Sequence, residues 1–168
     1  MTLGNDWLCR RLVEDSRDAI IFADREGIIR LWNQGAEVMF GFPAADTLGR
    51  SLDIIIPENL RARHGEGYRR VMASGNTKYG QELLAVPALR RDGSRISVEF
   101  TIVLVRGEGG EVLGAGAIVR EVTARWQREK AMRERVAALE AELDKVKQNS
   151  TPSQLGAGAL PDSGSRSE

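Results

Sequence analysis

The sequence predicts an α+β domain, a five-stranded antiparallel sheet with short helices on one face, followed by a coiled-coil-like helix. Three observations predict it. Short β-rich runs gather at 19–32 and again at 79–122, with helical patterns between them. Ile96, Val98, Phe100, Ile102 and Leu104 define one apolar face while Ser97, Glu99 and Thr101 alternate with them, the period of a half-buried strand. Met132, Val136, Leu139, Leu143 and Val146 are spaced 4, 3, 4, 3, an a/d heptad register set among Arg, Glu and Ala.

The elements follow in order. Residues 1–15 place Trp7, Leu8, Leu12 and Val13 at roughly helical spacing, with Asn5 or Asp6 as N-cap, and predict a short amphipathic lead-in helix. Residues 18–32 read as a β-hairpin around Asp24-Arg25-Glu26-Gly27, where the glycine supplies a positive φ. Asn33 is a natural N-cap for a helix through Ala36, Met39 and Phe40, which Gly41-Phe42-Pro43 ends. Short helical turns are expected at 44–48 and 51–54. A longer helix starts at Pro57, suited to a first helical position, and runs to Ser74 before Gly75-Asn76. Leu60, His64, Tyr68, Val71 and Met72 share one of its faces. Strands are expected at 79–90, through 96–104 after the Arg91-Asp92-Gly93-Ser94 turn, and at 112–122 after Gly107–Gly110. Pro87 cannot donate a ladder hydrogen bond, so its strand belongs at a sheet edge. The resulting divisions are a lead-in helix at 1–15, a core at 16–123, a signalling or dimerisation helix at 124–147 and a disordered tail at 148–168, rich in Ser, Gly, Pro and Ala.

Composition narrows the function. The chain has 168 residues with 24 Lys+Arg against 24 Asp+Glu, so it lacks the basic excess of a non-specific nucleic-acid or membrane-surface binder. A single cysteine, Cys9, excludes an intrachain disulfide, and a single histidine, His64, excludes a His-rich metal site. Cys9 has no neighbouring histidine and reads as an inert thiol. No secretory signal or membrane span is visible, so a cytoplasmic protein is expected. No Ser-His-Asp grouping and no phosphate loop proposes a reaction, so no enzyme is expected. Gly114 and Gly116, inside a strand, mark a close approach of ligand or helix.

The order of elements, with Asp24-Arg25-Glu26-Gly27, Trp32-Asn33-Gln34-Gly35-Ala36-Glu37, Phe40-Gly41-Phe42, Gly49-Arg50-Ser51, Arg90-Arg91-Asp92-Gly93-Ser94 and Arg120-Glu121-Val122-Thr123, resembles a PAS domain over roughly residues 8–125. The last of these resembles the Asp-Ile-Thr motif that joins PAS cores to output helices, with Glu121 in the Asp position. The resemblance implies a sensory module that holds a ligand between the long helix and the sheet. Flavin-adduct photosensors carry Asn-Cys-Arg-Phe where this chain has Asn59-Leu60-Arg61-Ala62, which removes that chemistry, and the missing core cysteine also removes a thioester-bound chromophore.

The segment from Pro57 to His64 is similar to the long helix of rhizobial oxygen-sensing haem-PAS kinases and of the bacterial direct oxygen sensor. That resemblance makes haem the leading cofactor, His64 its proximal iron ligand and Arg70 a propionate partner. It puts Tyr68 in the cofactor site and Phe100 and Ile102 on the distal wall. It matches the families' distal arginine with Leu84 and the direct sensor's iron-ligating methionine with Glu82. Without a distal donor, bound oxygen loses a charge-assisted stabiliser, and carbon monoxide, nitric oxide or redox sensing becomes the better expectation. A pocket with another small ligand, including non-covalent flavin, and a ligand-free interaction module remain open beside it; Trp32 reads as core and not as a flavin stacker. The a/d stripe favours a homodimer through 126–147, signalling to a kinase or regulator in trans, without nucleic acid or membrane as partner.

Overall fold

The structure, a computed structural model, describes residues 4–77 and 82–149. It contains α1 (Asn5–Glu14), β1 (Ala19–Asp24), β2 (Ile29–Trp32), α2 (Gln34–Phe40), α3 (Ala44–Thr47), a 3-10 turn (Leu52–Ile55) and α4 (Glu58–Ser74). β3 (Leu84–Leu89), β4 (Arg95–Arg106), β5 (Val112–Glu121) and α5 (Thr123–Asn149) complete it. The strands form one antiparallel sheet in the order β2-β1-β5-β4-β3. The first and last strands of the core therefore lie side by side at its centre. β3 is an edge strand, as Pro87 requires, and Pro87 faces Ser97 in the ladder with β4.

Several boundaries differ from expectation. α1 has Gly4 at its N-cap with no side-chain cap bond, so neither Asn5 nor Asp6 caps it. β2 begins at Ile29; Ile28 forms an isolated bridge with Ser51, while its carbonyl accepts the Asp24 N–H at 2.9 Å. Pro57 stays extended just outside α4, and its carbonyl accepts the Leu60 N–H at 2.8 Å. Strand pairing of β3 starts only where Leu84 meets Phe100; Glu82 and Leu83 are not strand, and 78–81 lie outside the described residues. α5 continues to Asn149, and the tail expected beyond it lies outside the described residues.

The core gathers Ala19, Ile21, Ile29, Trp32, Ala36, Met39 and Phe40 with Ala88, Ile96, Val98 and Val119. Trp32 is buried, tilted against Phe40 at a centroid distance of 5.3 Å, and its indole N–H donates to the Phe42 carbonyl at 2.9 Å. That is the core role expected for it. Gly114 does answer to a close approach, though of the neighbouring strand: a Cβ there would stand 2.1 Å from the Ala23 carbonyl oxygen and 2.7 Å from the Phe22 ring.

The chain divides into two compact units, Met1–Gln127 and Arg128–Glu168. Within the second, Met132, Val136, Leu139, Leu143 and Val146 are all exposed.

Asn33 joins three elements of the first unit. Its buried amide oxygen accepts from the Ile20 N–H at 2.8 Å and, as the α2 cap, from the Ala36 N–H at 2.9 Å. Its amide nitrogen donates to the carbonyls of Val13 at 2.8 Å, Asp18 at 3.0 Å and Ser16 at 3.3 Å. Asn33→Ala removes a helix cap worth about 1 kcal/mol and leaves part-buried groups unpaired at about 1–3 kcal/mol in all. Thermal unfolding of the variant is expected roughly 10 °C below the parent.

Candidate functional site

The inner face of the sheet is unevenly filled. On the side toward α2, Ile96, Val98 and Val119 are buried. Further along β4 the same face continues as Phe100, Ile102 and Leu104, opposite Val119, Ala117 and Ala115 of β5, and Leu84 of β3 stands opposite Phe100. Phe100, Ile102, Leu104, Ala115, Ala117 and Leu84 are only half-buried. Two alanines on β5 leave this part of the face apolar and without bulk, the character of a small-molecule wall. Nothing in the sequence reading singled them out, although the run Gly114-Ala115-Gly116-Ala117 signals a strand without bulk.

α4 carries Leu60, Tyr68 and Val71 half-buried and Met72 buried. Tyr68 fixes it in place. Its hydroxyl lies 2.9 Å from the Ala23 carbonyl oxygen and 2.7 Å from that of Asp24 and donates its proton between them. The hydroxyl thus ties α4 to the end of β1. Burial pushes the Tyr68 phenol up to about 12, because the phenolate would lose water and face Asp24 and Glu26.

His64 shares the helical face of Tyr68, with ring centroids 6.0 Å apart, yet it remains exposed. Desolvation of the imidazolium lowers its pKa below the usual 6.5, against the opposing attraction of Asp53. The ring has no hydrogen-bond partner among the described residues, so a neutral imidazole nitrogen is free to ligate. Arg70 is brought elsewhere: it is exposed and pairs with Glu66 at 2.9 Å. Asp53, which the sequence reading missed, also lines a cleft of about 300 Å3 with Phe42, Arg50, Ile54 and Arg61. Arg61 is half-buried there, its Nε–H donating to the Ile56 carbonyl at 3.1 Å. Among the described residues no group of three or more His, Cys, Asp or Glu side chains is placed to hold a metal ion.

The exit from the core is polar and tightly bonded. Ser97 of β4 accepts the Val122 N–H at 2.8 Å and donates its own N–H to the Thr123 hydroxyl at 3.0 Å. That hydroxyl donates to Glu121 at 3.0 Å, and Glu121 pairs with Arg90 at 2.7 Å. Arg90 also donates to the Met39 carbonyl at 2.9 Å, so one guanidinium links α2 to the start of α5. Glu121 thus stands where β5 passes into α5.

Two titrations check these environments. The phenol shift favours the neutral form in the folded chain, so its stabilisation is present below pH 10 and lost as pH rises toward 12. Tyr68→Phe is expected to remove that alkaline slope from chemical unfolding curves. As the only histidine, His64 gives one imidazole NMR titration, expected to have its midpoint below 6.5 and to fall further in Asp53→Asn.

Comparison with known proteins agrees with this architecture. The PAS family, described as the PAS fold, matches residues 8–122. An uncharacterised protein of Azorhizobium caulinodans is 35% identical over 129 residues, which are 76% of this chain and 17% of that protein. The sensor protein FixL of Bradyrhizobium diazoefficiens is 29% identical over 125 residues, 74% of this chain and 24% of FixL. The chain therefore spans less than a quarter of the length of these relatives. The crystal structure of a PAS domain from Colwellia psychrerythraea is similar with a TM-score of 0.61 at 21% identity, covering 70% of this chain and 96% of that one. The chain belongs to the PAS family.

Proposed function

We propose that the chain is a sensory, non-catalytic PAS module that holds a small ligand between α4 and the half-buried wall of β3, β4 and β5. Haem is the leading ligand, with His64 as its axial residue, and the setting is cytoplasmic. The observation that carries the reading is the half-buried apolar wall of Phe100, Ile102, Leu84, Ala115 and Ala117, beside a helix whose one imidazole has no hydrogen-bond partner among the described residues. The likeness to FixL, a sensor protein, supports it. Bound haem would supply an iron for a diatomic gas or for an electron.

The chain's own residues set what such a site senses. Leu84, Phe100 and Ile102 offer no hydrogen-bond donor, which disfavours stable oxygen binding and leaves carbon monoxide, nitric oxide or redox change. Arg70, committed to Glu66, would have to leave that exposed pair to meet a propionate, at a cost under about 1 kcal/mol. Ligand binding shifts the output only through different affinity for two states of the core. The change would pass through Glu121 and Thr123 to α5. The exposed a/d stripe of α5 supports a homodimer that acts on a kinase or regulator in trans. A ligand-free interaction module is the second reading, favoured by the exposure of His64.

The deciding measurement is the visible spectrum of protein expressed with haem supplied. A Soret band lost in His64→Ala is expected. A colourless protein whose spectrum and melting temperature ignore added haem would leave the second reading in place.

A further inference from the structure

The cleft lined by Phe42, Arg50, Asp53, Ile54 and Arg61 lies where the segment after α2, the 3-10 turn and the first turns of α4 come together. None of the wall residues of β3, β4 and β5 lines it. Its volume of about 300 Å3 is at the lower end for small-molecule sites and suits a single small molecule. Phe42, Asp53, Ile54 and Arg61 are half-buried, and Arg50 is exposed.

The charges of the cleft are uncommitted. Among the described residues Asp53 forms an ion pair with neither guanidinium, and the Arg50 side chain makes no hydrogen bond. Arg61 uses only its Nε–H, on the Ile56 carbonyl at 3.1 Å, which leaves both terminal nitrogens of its fork open. The supports are nevertheless fixed. The Ser51 hydroxyl accepts the Asp53 N–H at 3.2 Å, and the Phe42 carbonyl is held by the Trp32 indole at 2.9 Å. Charges held apart on fixed supports are preorganised for a ligand that brings its own charges.

We infer that this cleft binds a free α-amino acid with an apolar side chain. Arg50 and Arg61 take its carboxylate, Asp53 its ammonium, and Phe42 and Ile54 its side chain. The lining selects this class. Guanidinium forks match a planar carboxylate in charge and shape. A plain anion such as phosphate would use the forks but set its charge against Asp53 and leave Phe42 and Ile54 without a partner. A zwitterion answers both signs at once, and its apolar side chain covers the two residues that offer no side-chain donor. The site is a second one, beyond the proposed core ligand and independent of haem. An occupant would tie the 3-10 turn to α4, the helix that carries His64.

Calorimetric titration of the full-length chain with L-leucine tests the inference. L-leucine is expected to bind roughly tenfold more tightly than isocaproate, which lacks the ammonium, or isoamylamine, which lacks the carboxylate. Arg50→Gln changes an exposed side chain without a bond among the described residues, so the ligand-free melting temperature should stay at the parent value. The same variant should weaken L-leucine roughly tenfold. Asp53→Asn should erase the preference for L-leucine over isocaproate. Equal results are expected with and without haem supplied during expression, so a failed haem reading leaves this outcome standing. Isocaproate binding the parent as tightly as L-leucine would reveal an adventitious anion site only and overturn the inference. So would unchanged L-leucine affinity in Arg50→Gln, or the absence of binding by L-leucine, L-methionine and L-phenylalanine alike.

Discussion

One buried amide organises the domain. The side chain of Asn33 satisfies two backbone donors and three backbone acceptors, drawn from the turn after α1, the start of β1 and the first turn of α2. No water is needed to complete the set, and no buried side-chain polar atom among the described residues is left without a partner. Gly35 makes the arrangement possible, since a Cβ there would stand 2.4 Å from the Asp18 carbonyl oxygen. The turn over residues 16–18 lies flat on α2 because that side chain is missing. With the turn fixed, β1 enters the centre of the sheet in register with β5, and α2 is laid across one half of the inner face.

That placement explains why the inner face is buried on one side and only half-buried on the other. Met39 and Phe40 of α2 close over Ala88, Ile96, Val98 and Val119 as one cluster. Burial of this kind is worth about 1.5–3 kcal/mol for each large side chain, so this half carries the stability of the domain. α4 is tied to the end of β1 by a single hydroxyl, that of Tyr68, and the alanines and large residues of the other half stay half-buried. Under the proposed function, stability and ligand capacity belong to different halves of one sheet.

The sequence announced the filled half better than the half-buried one. Trp32 as core, Asn33 as cap and Pro87 at an edge each follow from a local rule of packing, capping or lost donor, and each stands so in the fold. Period-2 and period-3.6 patterns report which way a side chain faces but not how deeply it is covered. His64 therefore reads as one of a pocket-facing row and stands exposed at its flank. The same limit applies to Gly114, where a missing Cβ was legible and the neighbour that fills its place, Phe22 of the adjacent strand, was not. Arg70 is a different case. Its partner Glu66 sits four residues back on the same helix, an i,i+4 pair visible in the sequence, while the resemblance pointed to a haem propionate.

β4 carries the consequence for signalling. It contributes both to the wall, through Phe100 and Ile102, and to the exit, through Ser97, whose two backbone groups hold Val122 and Thr123. Three residues separate Ser97 from Phe100, about 10 Å of strand. Under the proposed function, a ligand that moves Phe100 acts on the same short rod that positions the first turn of α5. Arg90 opposes free movement there, because its guanidinium holds Glu121 and the Met39 carbonyl together. The exit can then shift in one of two ways: with α2, keeping the Arg90 bonds, or against it, breaking an ion pair whose side chains are about one-third exposed to solvent. The first route moves the buried cluster and is stiff; the second exchanges one partly exposed pair and is soft. A ligand of modest affinity has enough free energy only for the soft route, which makes the Arg90–Glu121 pair the place where the core and α5 part.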